Sequence, residues 1–132
     1  MVLFQIAPEQ WLEMGMGIMG RHNLVARSTS RRRFRATFGQ SPIICSIIWD
    51  KIEEARQTMP QGAKTIHLLW AMMFVKLYCC EEVNASLAGC HEKTFRKWCW
   101  LFVFAISDLE GEVVSLRNFY WVILYYFLAF VL

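Results

Sequence analysis

Residues 65–110 read TIHLLWAMMFVKLYCCEEVNASLAGCHEKTFRKWCWLFVFAISDLE, and the fold of the chain turns on how this stretch divides. From Leu68 to Cys80 every residue except Lys76 is apolar, so a helix over Thr65–Cys80, with Thr65 able to cap it, has almost no wet face and belongs in the middle of a bundle. Glu81 and Glu82 then mark a new helix start, where carboxylates meet the positive end of the helix dipole. Cys80, Val83 and Leu87 give this short helix, Glu81–Ala88, an inward line at i, i+3 and i+7, and Gly89 closes it as a left-handed residue. The next helix, Glu92–Glu110, places Phe95, Trp98, Cys99, Phe102, Ile106 and Leu109 inward. Its first two turns carry Lys93, Thr94, Arg96 and Lys97. Trp100, Val103 and Phe104 fall off the inward face and read as a seam for another folded unit.

Working outward, Ser41-Pro42 opens a helix over Ser41–Thr58, with Ser at the cap and Pro where its missing N–H costs nothing. Ile44, Ile48, Ile52 and Ala55 set its apolar face, widened by Ile47 and Trp49, while Asp50, Lys51, Glu53, Glu54 and Arg56 stay wet. Before it, Arg21–Arg35 reads RHNLVARSTSRRRFR, which holds six arginines and no acid. Its polar composition predicts a flexible arm or a frayed helix end. A shorter helix starts at Pro8. After the bundle, Phe119–Leu132 is fourteen consecutive apolar residues; as a helix it is about 21 Å long, short of the roughly 30 Å hydrocarbon core. The central apolar helix fails as a span for the same reason, and because of Lys76.

These elements predict an all-α fold: a small helical bundle containing a helix-turn-helix, with a basic N-terminal arm and an apolar C-terminal tail. The expected division is 1–40 for the N-terminal segment, 41–112 for the helical unit and 113–132 for the tail. A chain of 132 residues suits one domain. The hydrophobic fraction of 56%, with six Trp and ten Phe, demands either a rich core or an apolar surface that meets a partner. The net charge of +3 is local: without the arginine-rich segment the chain is net acidic, so a specific polyanion-binding feature is expected rather than diffuse basicity.

Five cysteines form an odd set, and no positive n-region with a sustained apolar run precedes them, which predicts reduced thiols in an intracellular protein. Cys79, Cys80, Cys90, His91 and Cys99 lack the paired C-x-x-C spacing of a zinc site, and His67 and His91 have no evident partner to orient either of them beside a cysteine nucleophile. Neither a metal nor a cofactor is expected. Glu53-Glu54 and Glu81-Glu82 are adjacent pairs whose side chains diverge on a helix, so they read as surface and dipole charges rather than paired catalytic acids. No phosphate loop or nucleophile elbow occurs.

The positions of the basic residues point to DNA. The first turns of the third helix of a helix-turn-helix approach base edges and phosphates, and Lys93, Thr94, Arg96 and Lys97 stand there. Arg31, Arg32, Arg33 and Arg35 are placed to hold phosphates. Six neutralised phosphates correspond to a salt slope of about −5.

Taken together, Phe38-Gly39-Gln40-Ser41-Pro42, Leu68-Leu69-Trp70-Ala71 with Phe74 and Lys76, and Lys93-Thr94-Phe95-Arg96-Lys97-Trp98 resemble the N-terminal helical region of Harbinger-like and related DDE transposases. The resemblance covers roughly Arg31 to Leu116. It implies transposon-end recognition by the helical region, with strand chemistry left to a following RNase H-like domain that carries three metal-binding carboxylates. This chain departs from the pattern after Leu116, where an apolar tail stands and no such triad follows; the expectation is a truncated, non-catalytic, nuclear DNA-binding remnant. A second departure is His91, where an acid or a hydroxyl is the better helix cap. The alternative expectation is a small membrane-associated or protein-interaction module that acts through Phe119–Leu132, with the arginines near anionic lipid.

Overall fold

The computed structural model describes residues 4–20, 27–55, 60–77 and 81–109, and among these the chain is all-α, with no strand. Six helices follow in order: α1 (Pro8–Ile18), α2 (Arg27–Phe38), α3 (Pro42–Ala55), α4 (Thr65–Leu77), α5 (Glu81–Ala88) and α6 (Glu92–Ser107). The apolar tail, residues 21–26 of the basic segment, Cys79 and Cys80 lie outside the described residues.

The most apolar helix takes the central place its composition requires. Nine consecutive residues of α4, His67 to Val75, are buried, because α6, α2 and α5 all pack against it. An aromatic layer fills the α4–α6 contact: Trp70 and Phe74 meet Phe95, with ring centroids 5.8 and 6.4 Å apart. All six residues expected to face inward on α6 are buried. Its first turn is capped by His91, whose Nδ1 accepts the Lys93 N–H at 3.2 Å, so the imidazole replaces the acid or hydroxyl usual at that position. α6 ends at Ser107, with Asp108 and Leu109 in a turn.

Several expectations need correcting. The arginine-rich segment is no loose arm: from Arg27 it is a twelve-residue helix. Ser30, Phe34 and Phe38, spaced by four, form its buried stripe, and the two phenylalanine rings lie 4.7 Å apart with no exposure. Burying each contributes roughly 1.5–3 kcal/mol, which outweighs the polar composition. The stripe packs on α4 and α1, and Trp11, Phe34 and Phe38 share one buried cluster with the residues of α3, α4 and α6.

The second correction concerns α5, where Val83 and Leu87 are 46% and 47% exposed while Asn84 and Ala85 are buried. Small side chains on the inner face let α5 approach α4 and α6 closely, which leaves the large aliphatics outside. In α3 the buried line is likewise shifted, to Cys45, Ile48, Trp49 and Ile52 with Ser46, while Ala55 is exposed; the Ser46 hydroxyl donates to the Ile6 carbonyl at 2.8 Å. Third, Val103 is 1% exposed and belongs to the core. Of the expected seam only Phe104, at 45%, is exposed, and Trp100 is half-buried.

Helix starts are tied off by side chains that reach back one turn. Gln10 Oε1 accepts the Ala7 N–H at 2.8 Å before α1, and His67 Nδ1 accepts the Lys64 N–H at 3.0 Å before α4. Each satisfies a donor that the helix itself cannot. Thr65 is the first residue of α4 rather than its cap, and its hydroxyl donates instead to Met14 Sδ at 3.2 Å.

Candidate nucleic-acid interface

Between α5 and α6 the chain turns within three residues, Gly89, Cys90 and His91. The Cys90 N–H donates to the Ala85 carbonyl at 3.0 Å and the Gly89 N–H to that of Ser86 at 3.2 Å, the paired bonds of a Schellman closure. That closure needs a left-handed residue, and Gly89 supplies it at φ +74°. The tight turn and the His91 cap together fix where α6 begins. They therefore fix the direction of its first-turn side chains.

Lys93, Thr94, Arg96 and Lys97 are all exposed in those first turns, opposite the buried Phe95, Trp98 and Cys99. The Lys97 ammonium lies 4.7 Å from the centroid of the Trp98 ring. Cation–π attraction there steadies the lysine without neutralising it. The Trp98 ring is itself stacked on His67, 4.3 Å between centroids and 8° from parallel, so this end of α6 is braced by the start of α4. Burial, and then the positive charges of Lys64 and Lys97, hold the His67 imidazole down to about 4, against an ordinary 6.5. The Lys64 N–H donated to Nδ1 places the hydrogen of this neutral ring on Nε2.

The arginines of α2 divide among different surroundings. Arg32 and Arg35 are exposed. Arg31 donates to Glu9 Oε1 at 3.0 Å, and Arg27 bonds the other oxygen of the same carboxylate. The hydrogen bond from Arg31 and the charge of Arg27 hold the Glu9 carboxyl below its ordinary value. Arg33 is half-buried and lines a cleft of about 300 Å³ with Thr37, Met73, Leu77 and Leu87. α2 and α6 both pack on α4 and make at most marginal contact with each other. The two basic groups therefore sit on different helices of one bundle, and Arg33 shares its cleft with Leu87 of α5.

The Glu9 clamp is absent from the sequence reading, and no local signal announces it, since 22 residues separate Glu9 from Arg31. The thiols of Cys45 and Cys90 are shifted away from reactivity. Burial pushes Cys45 up to about 12 and raises Cys90 as well, and Cys45 Sγ donates to Met72 Sδ at 3.7 Å. Among the described residues no three His, Cys, Asp or Glu side chains gather as a metal site, and no helix is long and apolar enough to cross a membrane.

Comparison with protein families, with curated proteins and with solved structures finds no match.

Proposed function

We propose that this chain is a DNA-binding helical module of transposase origin, and that α4, α5 and α6 act as its helix-turn-helix. The observation that carries the reading is the exposed set Lys93, Thr94, Arg96 and Lys97 on the opening turns of α6, held in one orientation by the Gly89 turn and the His91 cap. A helix presented in this way meets base edges and phosphates with its N-terminal residues. Arg32, Arg33 and Arg35 add phosphate contacts from α2, and Arg31 joins them when it leaves Glu9. The reading implies a nuclear location.

The test is a salt titration of binding to a labelled duplex. With about six phosphates engaged, affinity falls with a log–log slope near −5, and Arg96→Ala/Lys97→Ala lowers both the affinity and the slope while leaving the helical content unchanged. A flat salt response, or full binding by that variant, removes the reading. The exposed Val83, Leu87 and Phe104 favour a second reading, an apolar surface for a protein partner. The residue 119–132 tail extends that reading to membranes. Membrane pelleting of the full chain that is lost on deleting residues 117–132, without salt-sensitive DNA retention, selects it.

A further inference from the structure

We infer that the cleft walled by α1, α2, α4 and α5 is a binding site for a small apolar carboxylate, whose head is held by Arg33 and Thr37 while its hydrocarbon body lies on Met19, Met73 and Leu87. The inference does not depend on α6 binding DNA.

The cleft follows from how the four helices meet. α2 and α5 both pack on α4, and α1 packs on α2, but α2 and α5 make at most marginal contact with each other. A gap of about 300 Å³ is left between them. Met73 of α4, 1% exposed, forms its floor, and Ile18 and Met19 from the end of α1 face it together with Leu87 from the end of α5. Unbranched thioether side chains such as these two methionines adapt to an irregular apolar body.

The polar groups in this lining are donors. Arg33 and Thr37 stand one turn apart on α2, so their side chains share a face. Arg27 and Arg31 bond the Glu9 carboxylate, whereas Arg33, half-buried, has no carboxylate partner among the described residues, and no Asp or Glu lines the cleft. Its guanidinium has given up part of its water without gaining an anion in return. The Thr37 hydroxyl donates to Met19 Sδ at 3.2 Å, a weak acceptor that an oxyanion readily replaces.

These features select the ligand. The planar fork of a guanidinium matches a carboxylate with two parallel N–H···O bonds. One cation with one hydroxyl balances a single negative charge and leaves a phosphate dianion half neutralised. A volume of about 300 Å³ stands at the lower end of small-ligand sites, with room for a body of roughly eight carbons. When the cleft is filled, Arg33 serves the small acid and is withdrawn from the phosphate contacts proposed for α2.

Equilibrium dialysis of the full chain against labelled octanoate, octanol and octylammonium tests this. Octanoate is expected to fill a saturable site with a Kd on the order of 10–100 μM, at least about 10-fold tighter than the alcohol or the amine. Arg33→Gln brings octanoate down to the level of octanol, a loss of about 10-fold or more. Arg33→Lys recovers part of it, since the charge returns without the fork. Leu87→Glu, at an exposed position, sets an acid against Arg33 and weakens octanoate more than octanol. Circular dichroism verifies the fold of each variant. Absence of saturable octanoate binding, equal binding of octanoate and octanol, or unchanged octanoate binding by Arg33→Gln overturns the inference. So does acetate that binds as tightly as octanoate, which removes the apolar walls from the site. A short peptide ending in Leu that binds more tightly than octanoate gives the cleft to a protein C-terminus and overturns the assignment to a free acid.

Discussion

His67 shows how much of this fold depends on the protonation state of one ring. It closes the start of α4 through Lys64 and stacks on Trp98 at the start of α6. A proton on Nδ1 breaks the first contact and puts a charge, at 6% exposure, beside Lys64 and Lys97. Its folded value of about 4 lies below the ordinary 6.5, so between these two pH values the unfolded chain binds the extra proton. The contribution of His67 to stability is therefore complete above about pH 6.5, declines as the pH falls toward about 4, and changes no further below that. At about 1.4 kcal/mol per pH unit the full loss from this ring is about 3 kcal/mol, and it falls largely between pH 7 and 4. Urea unfolding at those two pH values reads it. His67→Gln, which cannot titrate, flattens the difference; an unchanged pH dependence in that variant assigns it to another group.

At the scale of single helices, composition and environment compete, and α2 and α5 show opposite outcomes. In α2 two phenylalanines and one serine at spacing four decide for a packed helix, although the rest of the segment is arginine and hydroxyl residues. In α5 eight residues make barely two turns, too few for a periodicity to fix its own phase, and the close approach of α4 and α6 selects Asn84 and Ala85 as the inner residues. The α5–α6 turn, by contrast, is legible locally because only a residue without a Cβ sits in the left-handed region without cost. An added Cβ at Gly89 meets nothing within 4 Å, so the effect of Gly89→Ala is confined to the backbone. The expected loss is about 1–2 kcal/mol in urea unfolding, and Gly89→Asn loses less. Equal loss in the two variants points instead to an unseen contact.

Across the whole molecule, the N-terminal helices are fastened by a close approach that no periodicity reveals. A Cβ built on Gly15 collides with the rings of Phe34 and Phe38, whereas one built on Gly17 meets nothing within 4 Å. The two glycines sit two residues apart in one helix and make a matched pair. Gly15→Ala forces α1 and α2 apart, at a cost of about 1–3 kcal/mol in thermal or urea unfolding. Gly17→Ala, exposed and helical, is neutral or stabilises by up to about 1 kcal/mol. Like behaviour of the pair means that α1 does not rest on Phe34. The clamp of Arg27 and Arg31 on Glu9 spans the same two helices, but it is exposed and adds little to stability; its effect is to hold Arg31 toward α1 rather than toward a ligand.

The sequence by itself determined the all-α class, the central position of α4, the inward face of α6 and the turn at Gly89. Each of these rests on a run of residues whose own hydropathy or backbone preference leaves one outcome: an apolar stretch with no wet face, a long amphipathic helix, a residue free to adopt positive φ. Only the tertiary structure decided that the arginine segment is a packed helix, that Val83 and Leu87 face outward, that Val103 joins the core, and that Arg31 is held by Glu9 while Arg33 lies near α5. These depend on contacts between residues far apart in the chain, where neither partner carries a sign of the other. The first turns of α6 combine the two levels: their cations were legible from position alone, and the packing of Trp100 on Phe74 further along the helix came from the tertiary structure.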